Sequence, residues 1–404
     1  MDFEDSPEDA AFRAEVRAWL SENAQPLSDG YNWSRDHQHP DYPKRCKEWQ
    51  HTLYEGGWGA ITWPTEYGGR GDTAWHQAIF NQEAARYDVS VGVFAVGIGM
   101  VGPTLIAHGT EAQKQRFLPA MLQGEEVWCQ LFSEPEAGSD LASLRTRAER
   151  DGDHFVVNGQ KVWSSGAHHS DWGILLARTN FDVPKHKGIT YFLVDMRTPG
   201  IEVRPLRQIT GHAHFNEVFL TDVRIPAENV VGEVDRGWGP THTTLANERT
   251  FIGGTNQAVT SDRIIDLARR FGRDQDPTIR QKIAAFHTRT RLLQFMNYRV
   301  QTALSQGRQP GPEAATTKLF LSQHLAHTGD LVLEIAGADG TLHHESAVDG
   351  GAWQQVFLGQ WASRIGGGTD NIQRNALGER VLGLPSEPRI DKDVPFRDVL
   401  TSTA

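Results

Sequence analysis

Residues 130–140 read Q-L-F-S-E-P-E-A-G-S-D, and residues 158–166 read N-G-Q-K-V-W-S-S-G. The first piece starts as a short apolar run and then meets Pro135, Gly138 and Ser139. That pattern predicts a strand that breaks into a loop with backbone N–H groups and hydroxyls turned outward. Such a loop suits the phosphates or the polar ring edge of a bound cofactor. The second piece ends on Trp163, Ser164 and Ser165. A flat aromatic beside two hydroxyls can stack on a flat ring and hydrogen-bond its polar edge. No transition-metal or nucleophile motif competes in this stretch.

In this order and spacing the two pieces resemble the flavin-binding middle of the acyl-CoA dehydrogenase family. The resemblance implies FAD, with Phe132, Ser133, Gly138, Ser139, Trp163 and Ser165 on the isoalloxazine and pyrophosphate. It also implies an α+β fold in three parts: an N-terminal α-helical domain, a middle antiparallel β-barrel or sandwich domain, and a C-terminal four-helix bundle.

The chain upstream of Gln130 reads as helical. Ser6-Pro7-Glu8-Asp9 is a helix start, with a hydroxyl cap, proline in the first turn and acids at the positive dipole end. Phe12, Val16, Trp19 and Leu20 follow on one face. A second helix starts near Tyr42-Pro43 and stops at Gly56-Gly57. The segment W-P-T-E-Y-G-G-R-G at 63–71 reads as a rigid glycine-rich loop, similar to one at this point in the family. Further helices are expected at about 74–87 and 92–107, and Thr110 to Gln113 has capping-box spacing. Gly97-Ile98-Gly99-Met100-Val101-Gly102 matches the dinucleotide pattern G-x-G-x-x-G, but that pattern has meaning only inside a β-α-β unit. A capped helix and hairpins follow it here, so helix packing is the preferred reading.

From Val127 to about Val231 the pattern is that of strands. Asp151-Gly152 and Asn158-Gly159 are turn signals, and 172–178, 189–194 and 215–220 are strand candidates. No helix-length segment separates them, which predicts antiparallel pairing. His168-His169 and His212-x-His214 fall in loops and read as solvated rather than metal-bound. After Gly232 to Gly239, segments at 240–270, 277–306, 313–337 and 353–381 suggest an antiparallel bundle. The expected domains are 1–125, 126–234 and 235–404.

Dehydrogenation of an acyl thioester needs a base for the α-proton, a flavin for the β-hydride and hydrogen bonds to the thioester carbonyl. The family places its carboxylate base in one of two positions. The commoner one is a loop before the last helix, where this chain reads R-I-G-G-G-T-D-N-I-Q-R at 364–374. Gly367 stands where that glutamate would be. The alternative, seen in the isovaleryl type, is a Glu-Arg pair on the first helix of the bundle. Here A-N-E-R-T-F-I-G-G at 246–254 puts Glu248 and Arg249 at the matching positions, so Glu248 is the expected base.

The resemblance further assigns Thr369 and Asn371 to flavin phosphate and ribose. It assigns Glu334, Gly337 and Ala338, within L-E-I-A-G-A-D-G at 333–340, to a cofactor shared with a neighbouring subunit. Ser139, Arg249, Gly367 and Gly368 are the expected substrate contacts. Two departures stand out. Ala268 occupies the place of a family arginine, with Arg269 or Arg270 as substitutes, and Glu334 replaces a glutamine that touches adenine.

The 404 residues suffice for two or three cores, and 38% hydrophobic with 23% charged content is ordinary for a soluble enzyme. A net charge of −11 argues against nucleic acid as main partner. Two cysteines, Cys46 and Cys129, make neither a disulfide framework nor a zinc site. The acidic start M-D-F-E-D lacks a signal peptide's pattern, and Val91–Val101 is too short to span a bilayer, so a cytoplasmic protein is expected. The expected function is oxidation of acyl-CoA to trans-2-enoyl-CoA, with electrons passed to an electron-transfer flavoprotein. The expected assembly is a homotetramer, or a heterotetramer with a related chain. A non-catalytic or FAD-sharing subunit and a family-fold monooxygenase or oxidase stay open as alternatives.

Overall fold

The structure is a computed structural model and describes residues 5–28, 32–37, 39–253, 259–306, 308, 312–343, 346–389 and 391–399. Its contacts cluster into two compact units. One comprises residues 3–251 with 388–404; the other comprises 252–387 with the first two residues.

The first unit opens with α1 (Pro7–Asn23), which Ser6 caps by accepting the Asp9 N–H. Phe12, Val16 and Leu20 are buried on one face and pack against Trp49 and Leu53 of α2 (Tyr42–Glu55) and Ile79 and Phe80 of α3 (Ala74–Ala84). The 63–71 loop contains a short 3₁₀ turn, Thr65–Tyr67, with Gly68 and Gly71 in the left-handed region. Arg70 lies over the Trp58 ring at 4.0 Å and pairs with Glu15 and Asp72, which fixes the loop to the helices.

The glycine-rich stretch at 97–102 is a turn of π-helix, Gly97–Val101, running into α4 (Gly102–His108). Its glycines admit neighbours rather than a nucleotide. A Cβ on Gly102 would sit 1.9 Å from the Trp63 ring, and one on Gly97 would touch Trp128 at 3.4 Å. The capping box at Thr110 is complete and starts α5 (Glu111–Leu122).

Seven strands follow: β1 (Trp128–Leu131), β2 (Arg147–Asp151), β3 (His154–Lys161), β4 (Trp172–Arg178), β5 (Ile189–Asp195), β6 (Ile201–Leu206) and β7 (Phe215–Pro226). They form one sheet in the order β1-β4-β2-β3-β7-β6, with β5 also on β4. Two expectations are corrected here. Pairing is not purely antiparallel: β1 runs parallel to the first half of β4, and β2 meets Arg178 in parallel at its end. The long excursion from β1 through the 132–146 loop and the β2–β3 hairpin supplies the crossover that parallel strands require. Asn158-Gly159 is also not a turn. It lies inside β3, at an irregularity in the β3–β7 register between Val157 and Gly159. A Cβ on Gly159 would approach Thr146 Oγ1 to 2.5 Å. Glycine is there for close approach, whereas Asp151-Gly152 does make the expected hairpin turn.

The sheet is buried on both sides. Phe117, Leu118, Trp128, Trp172, Leu176 and Tyr191 form one core with α5, and Phe155, Val157, Phe192, Val218 and Ile225 form another. A strand buried on both faces reads as a continuous apolar run, and every residue of β4 is buried. Cys46 and Cys129 are buried free thiols, and burial pushes the Cys129 thiol up to about 12.

The chain leaves the sheet in α6 (Trp238–Gly253). The second unit contains α7 (Ser261–Arg270), α8 (Pro277–Ser305), α9 (Pro312–Ala336), α10 (Ala352–Ile365) and α11 (Asp370–Arg380). Ile264, Leu267, Ile279, Phe286, Leu331, Val332, Ile335 and Trp353 build its core. The expected single segments at 240–270 and 353–381 are each two helices, the second pair divided by the glycines at 366–368. Among the described residues no helix is long and apolar enough to cross a membrane.

Candidate active site

The two defining motifs, about thirty residues apart in sequence, touch at their strand ends. The Val162 N–H donates to the Ser133 carbonyl at 2.9 Å. Lys161 Nζ donates to the Phe132 carbonyl at 3.0 Å and to Glu134 Oε1 at 2.7 Å. Glu134 also accepts the N–H groups of Arg145 and Thr146 at 2.6 and 2.9 Å, and so ties down the far end of the loop. Lys161 and Glu134 are both buried. Burial alone would raise the Glu134 carboxyl, but the Lys161 ammonium and the hydrogen bonds outweigh it and hold the group below the ordinary carboxylate range. This pair is the part of the site that the sequence reading missed. A lysine in a strand pattern and a glutamate in a polar loop carried no signal that both would be buried.

Between these anchors the loop presents its tip. Phe132 is buried, Ser133 is half-buried, and Gly138 and Ser139 are exposed. No atom lies within 4 Å of where a Gly138 Cβ would be, so the backbone there is open to a ligand. Trp163 is 58% exposed and stands at φ 62°, a region that large side chains rarely adopt. Asn216 fixes this turn by exchanging hydrogen bonds with the Ser164 backbone, and Phe215 meets the Trp163 ring edge-on at 5.7 Å. Ser165 faces outward; Ser164 is buried, with its Oγ unpartnered.

Glu248 lies on α6, half-buried, and its carboxylate accepts from Gln130 Nε2 at 3.4 Å. Gln130 is in β1, two residues before Phe132. α6 is seated by Thr244, which bonds Thr104 of α4 at 2.9 Å and the Tyr191 hydroxyl of β5 at 3.1 Å. Glu248 and the flavin-type loop are therefore brought to the same strand. The Arg249 side chain lies outside the described residues, as does the stretch from Gly254 to Ala258.

The remaining expected residues belong to the second unit. Gly367 and Gly368 have φ of 64° and 86°. Gln373 holds the Gly367 carbonyl at 3.1 Å, and Lys318 holds that of Gly368 at 2.6 Å. Thr369 caps α11 through the Ile372 N–H, while Asn371 is exposed and accepts from Arg374. Glu334 is paired with Lys282 at 2.5 Å. Gly337 and Ala338 are exposed just past α9. Ala268 is fully buried in the helical core; Arg269 pairs with Asp266, and Arg270 with Asp349. Arg273, which the sequence reading did not select, approaches the Glu334 carbonyl at 3.5 Å.

The expected solvated histidines are only partly so. His168 and His214 are exposed, but His169 is half-buried and pushed down to about 4 by burial, with His168 beside it adding to the effect. Among the described residues no cluster fit to hold a metal ion occurs.

The acyl-CoA dehydrogenase N-terminal, middle and C-terminal domains match residues 6–125, 129–223 and 235–382. This chain belongs to the acyl-CoA dehydrogenase family. It is 40% identical over 386 residues to acyl-CoA dehydrogenase IpdE1 of Mycobacterium tuberculosis, covering 94% of this chain and 98% of the relative. Among solved structures, the Tcur3481-Tcur3483 steroid ACAD superposes with a TM-score of 0.79 at 30% identity, covering 96% of this chain and all of the other. The ChsE4-ChsE5 complex of Mycobacterium tuberculosis gives 0.77 at 29%, with the same coverage.

Acyl-CoA dehydrogenases are FAD-dependent oxidoreductases acting on a CH–CH bond. The first unit fits that cofactor. It offers an open glycine-serine tip, an exposed tryptophan held against its backbone preference and an unpartnered buried hydroxyl behind it.

Proposed function

We propose that this chain oxidises a ring-bearing, steroid-type acyl-CoA to its trans-2-enoyl-CoA, with Glu248 as the base for the α-proton. The observation that carries the reading is the Glu248 carboxylate at hydrogen-bonding distance from Gln130, on the strand that runs into the flavin-type loop. At the family's commoner position there is only Gly367, in a left-handed conformation that disfavours a glutamate side chain. FAD, when bound, accepts the β-hydride. Its proposed contacts are Phe132, Ser133, Gly138, Ser139, Trp163 and Ser165, and the family resemblance adds Thr369, Asn371, Glu334, Gly337 and Ala338 as further proposed cofactor contacts. Ser139, Arg249, Gly367 and Gly368 are the substrate contacts proposed from the family resemblance, and a glycine rather than a glutamate at 367 favours a bulky acyl group. The steroid class is supported by the likeness to the steroid ACAD. Electrons pass on to an electron-transfer flavoprotein. The expected domains are those of the family, 1–125, 126–234 and 235–404.

Glu248 takes the proton best when its pKa approaches the working pH, and enclosure against an acyl chain drives a carboxyl in that direction. The test is anaerobic reduction of the bound flavin by a steroid side-chain acyl-CoA, followed by absorbance. Wild type should bleach. Glu248→Gln should keep its FAD and bleach about 10²–10⁴-fold more slowly. Reduction of Glu248→Gln at the wild-type rate would overturn the assignment of the base.

A further inference from the structure

The 132–146 loop is held at its start by the Glu134–Lys161 pair, and its exposed tip carries Ser139. A different set of contacts holds the part just after the tip. Lys185 Nζ bonds Asp140 Oδ2 at 2.7 Å and Asp391 Oδ2 at 2.6 Å. The lysine side chain is only 9% exposed. Burial works against its charge, but the two carboxylates more than offset that and hold the ammonium above its ordinary range.

Asp391 belongs to the segment 391–399, which rejoins the first unit after the helical one. That segment is docked rather than draped. Pro395 bridges to Pro184, the Phe396 N–H donates to Val183 O, and the Arg397 N–H donates to Phe181 O, each of these two at 2.9 Å. The Phe396 side chain is buried, and the Arg178 guanidinium lies over its ring at 3.5 Å. Arg178 in turn donates to the carbonyls of Ala142, Leu144 and Lys185 at 2.6, 3.1 and 3.0 Å. Among the described residues no carboxylate is hydrogen-bonded to this guanidinium, so its place rests on the three carbonyls together with the aromatic face. Removing the ring leaves a buried charge short of a partner.

We propose that Lys185 is a positioning residue, and that the 391–399 segment works through it and Arg178 as a strap fixing the Ser139–Leu144 part of the loop for acyl-CoA. Three of the loop's groups, the Asp140 carboxylate and the Ala142 and Leu144 carbonyls, are held by two side chains that the strap itself covers or neutralises. Geometry at Ser139 then depends on residues some 250 positions later in the chain. The inference rests on the proposed function only in taking Ser139 as a ligand contact.

The test uses the full-length, FAD-loaded protein and the variants Lys185→Met, Lys185→Arg and Asp391→Asn. Hydrogen exchange of the 138–146 amides is followed beside steady-state kinetics. A charge-assisted bond lost at each variant should speed exchange of these amides by about tenfold in Lys185→Met and Asp391→Asn. KM for acyl-CoA should rise about tenfold while kcat changes much less. Lys185→Arg should restore most of both. If exchange in 138–146 is unchanged in Lys185→Met and Asp391→Asn, the strap is refuted, whatever the activity does. If exchange speeds up but KM stays at wild type with only Tm lowered, the role is structural and the positioning claim falls. Wild-type protein whose flavin is reduced by none of the acyl-CoA substrates would refute the proposed function, and the exchange measurement would still decide the strap.

Discussion

At the residue scale, the Glu134–Lys161 pair has the sharpest consequences. Both side chains are buried, so deleting one strands the other. Lys161→Met should cost about 3–5 kcal/mol in chemical denaturation. Glu134→Met combined with Lys161→Met should recover much of that loss, because two apolar groups leave no unpaired charge. The pH dependence follows from the depressed Glu134 carboxyl. A lowered folded pKa contributes stability above the unfolded value, near about 4.3. That contribution is lost as pH falls through the folded value. Acid denaturation curves of wild type and Glu134→Gln should therefore differ in slope below about pH 4. Trp163 makes the opposite point. Its positive φ costs on the order of 1–3 kcal/mol, and its ring is left exposed. Strain combined with exposure is hard to explain by packing and points to a ligand. Trp163→Gly should relieve the strain, raising apo-protein stability by about 1 kcal/mol, while weakening FAD retention on dilution. A Trp163→Gly protein that holds FAD as tightly as wild type would remove Trp163 from the site.

At the scale of elements, what could be read from sequence depended on how local the cause was. The caps at Ser6 and Thr110 were legible because cap and helix are adjacent in sequence. β4 was legible because burial on both faces leaves an unbroken apolar run. The β1–β4 parallel pair was not, since strands 40 residues apart give no local sign of direction. Asn158-Gly159 misled because the same dipeptide serves a turn and a close approach, and only Thr146, a neighbour in space, decides between them. β6 was missed because its I-E-V-R-P-L sequence is short and includes a proline, with its apolar residues only half-buried. Of the candidate site, the flavin-type motifs and Glu248 could be named from sequence, but the contacts that hold them could not. Lys161, Gln130, Lys185 and Arg178 each act through partners distant in sequence. The π-helical stretch gives a test at this scale. Gly102→Ala would drive a methyl into the Trp63 ring, and the helix backbone would have to move. The expected cost is about 1–3 kcal/mol, read as a lowered denaturation midpoint, with Gly359→Ala in α10, where an added Cβ meets nothing within 4 Å, as the helical control.

At the scale of the whole molecule, most of the large exposed apolar side chains among the described residues lie in the second unit. Trp361 and Ile365 near the end of α10 are 45% and 62% exposed, and Leu382 and Leu384 beyond α11 are 71% and 56% exposed. Singly, exposed apolar residues are ordinary; several from neighbouring elements mark surface that another chain covers. The patch predicts that another chain covers part of the second unit, so an assembly larger than a monomer is the expected state. The measurement is light scattering of the chain alone and co-expressed with a related acyl-CoA dehydrogenase, with flavin quantified in each. Assembly should give a mass several times 45.0 kDa. A homotetramer should carry about one flavin per chain; a mixed assembly need not, because a site completed by two different chains can be complete at only some positions. Trp361→Glu with Leu382→Glu should split the assembly and release FAD together with it, since a charge buried at an interface is costly. A stable, flavin-loaded and active monomer would overturn the inference, and FAD retained in the dissociated double variant would show that each site is complete within one chain.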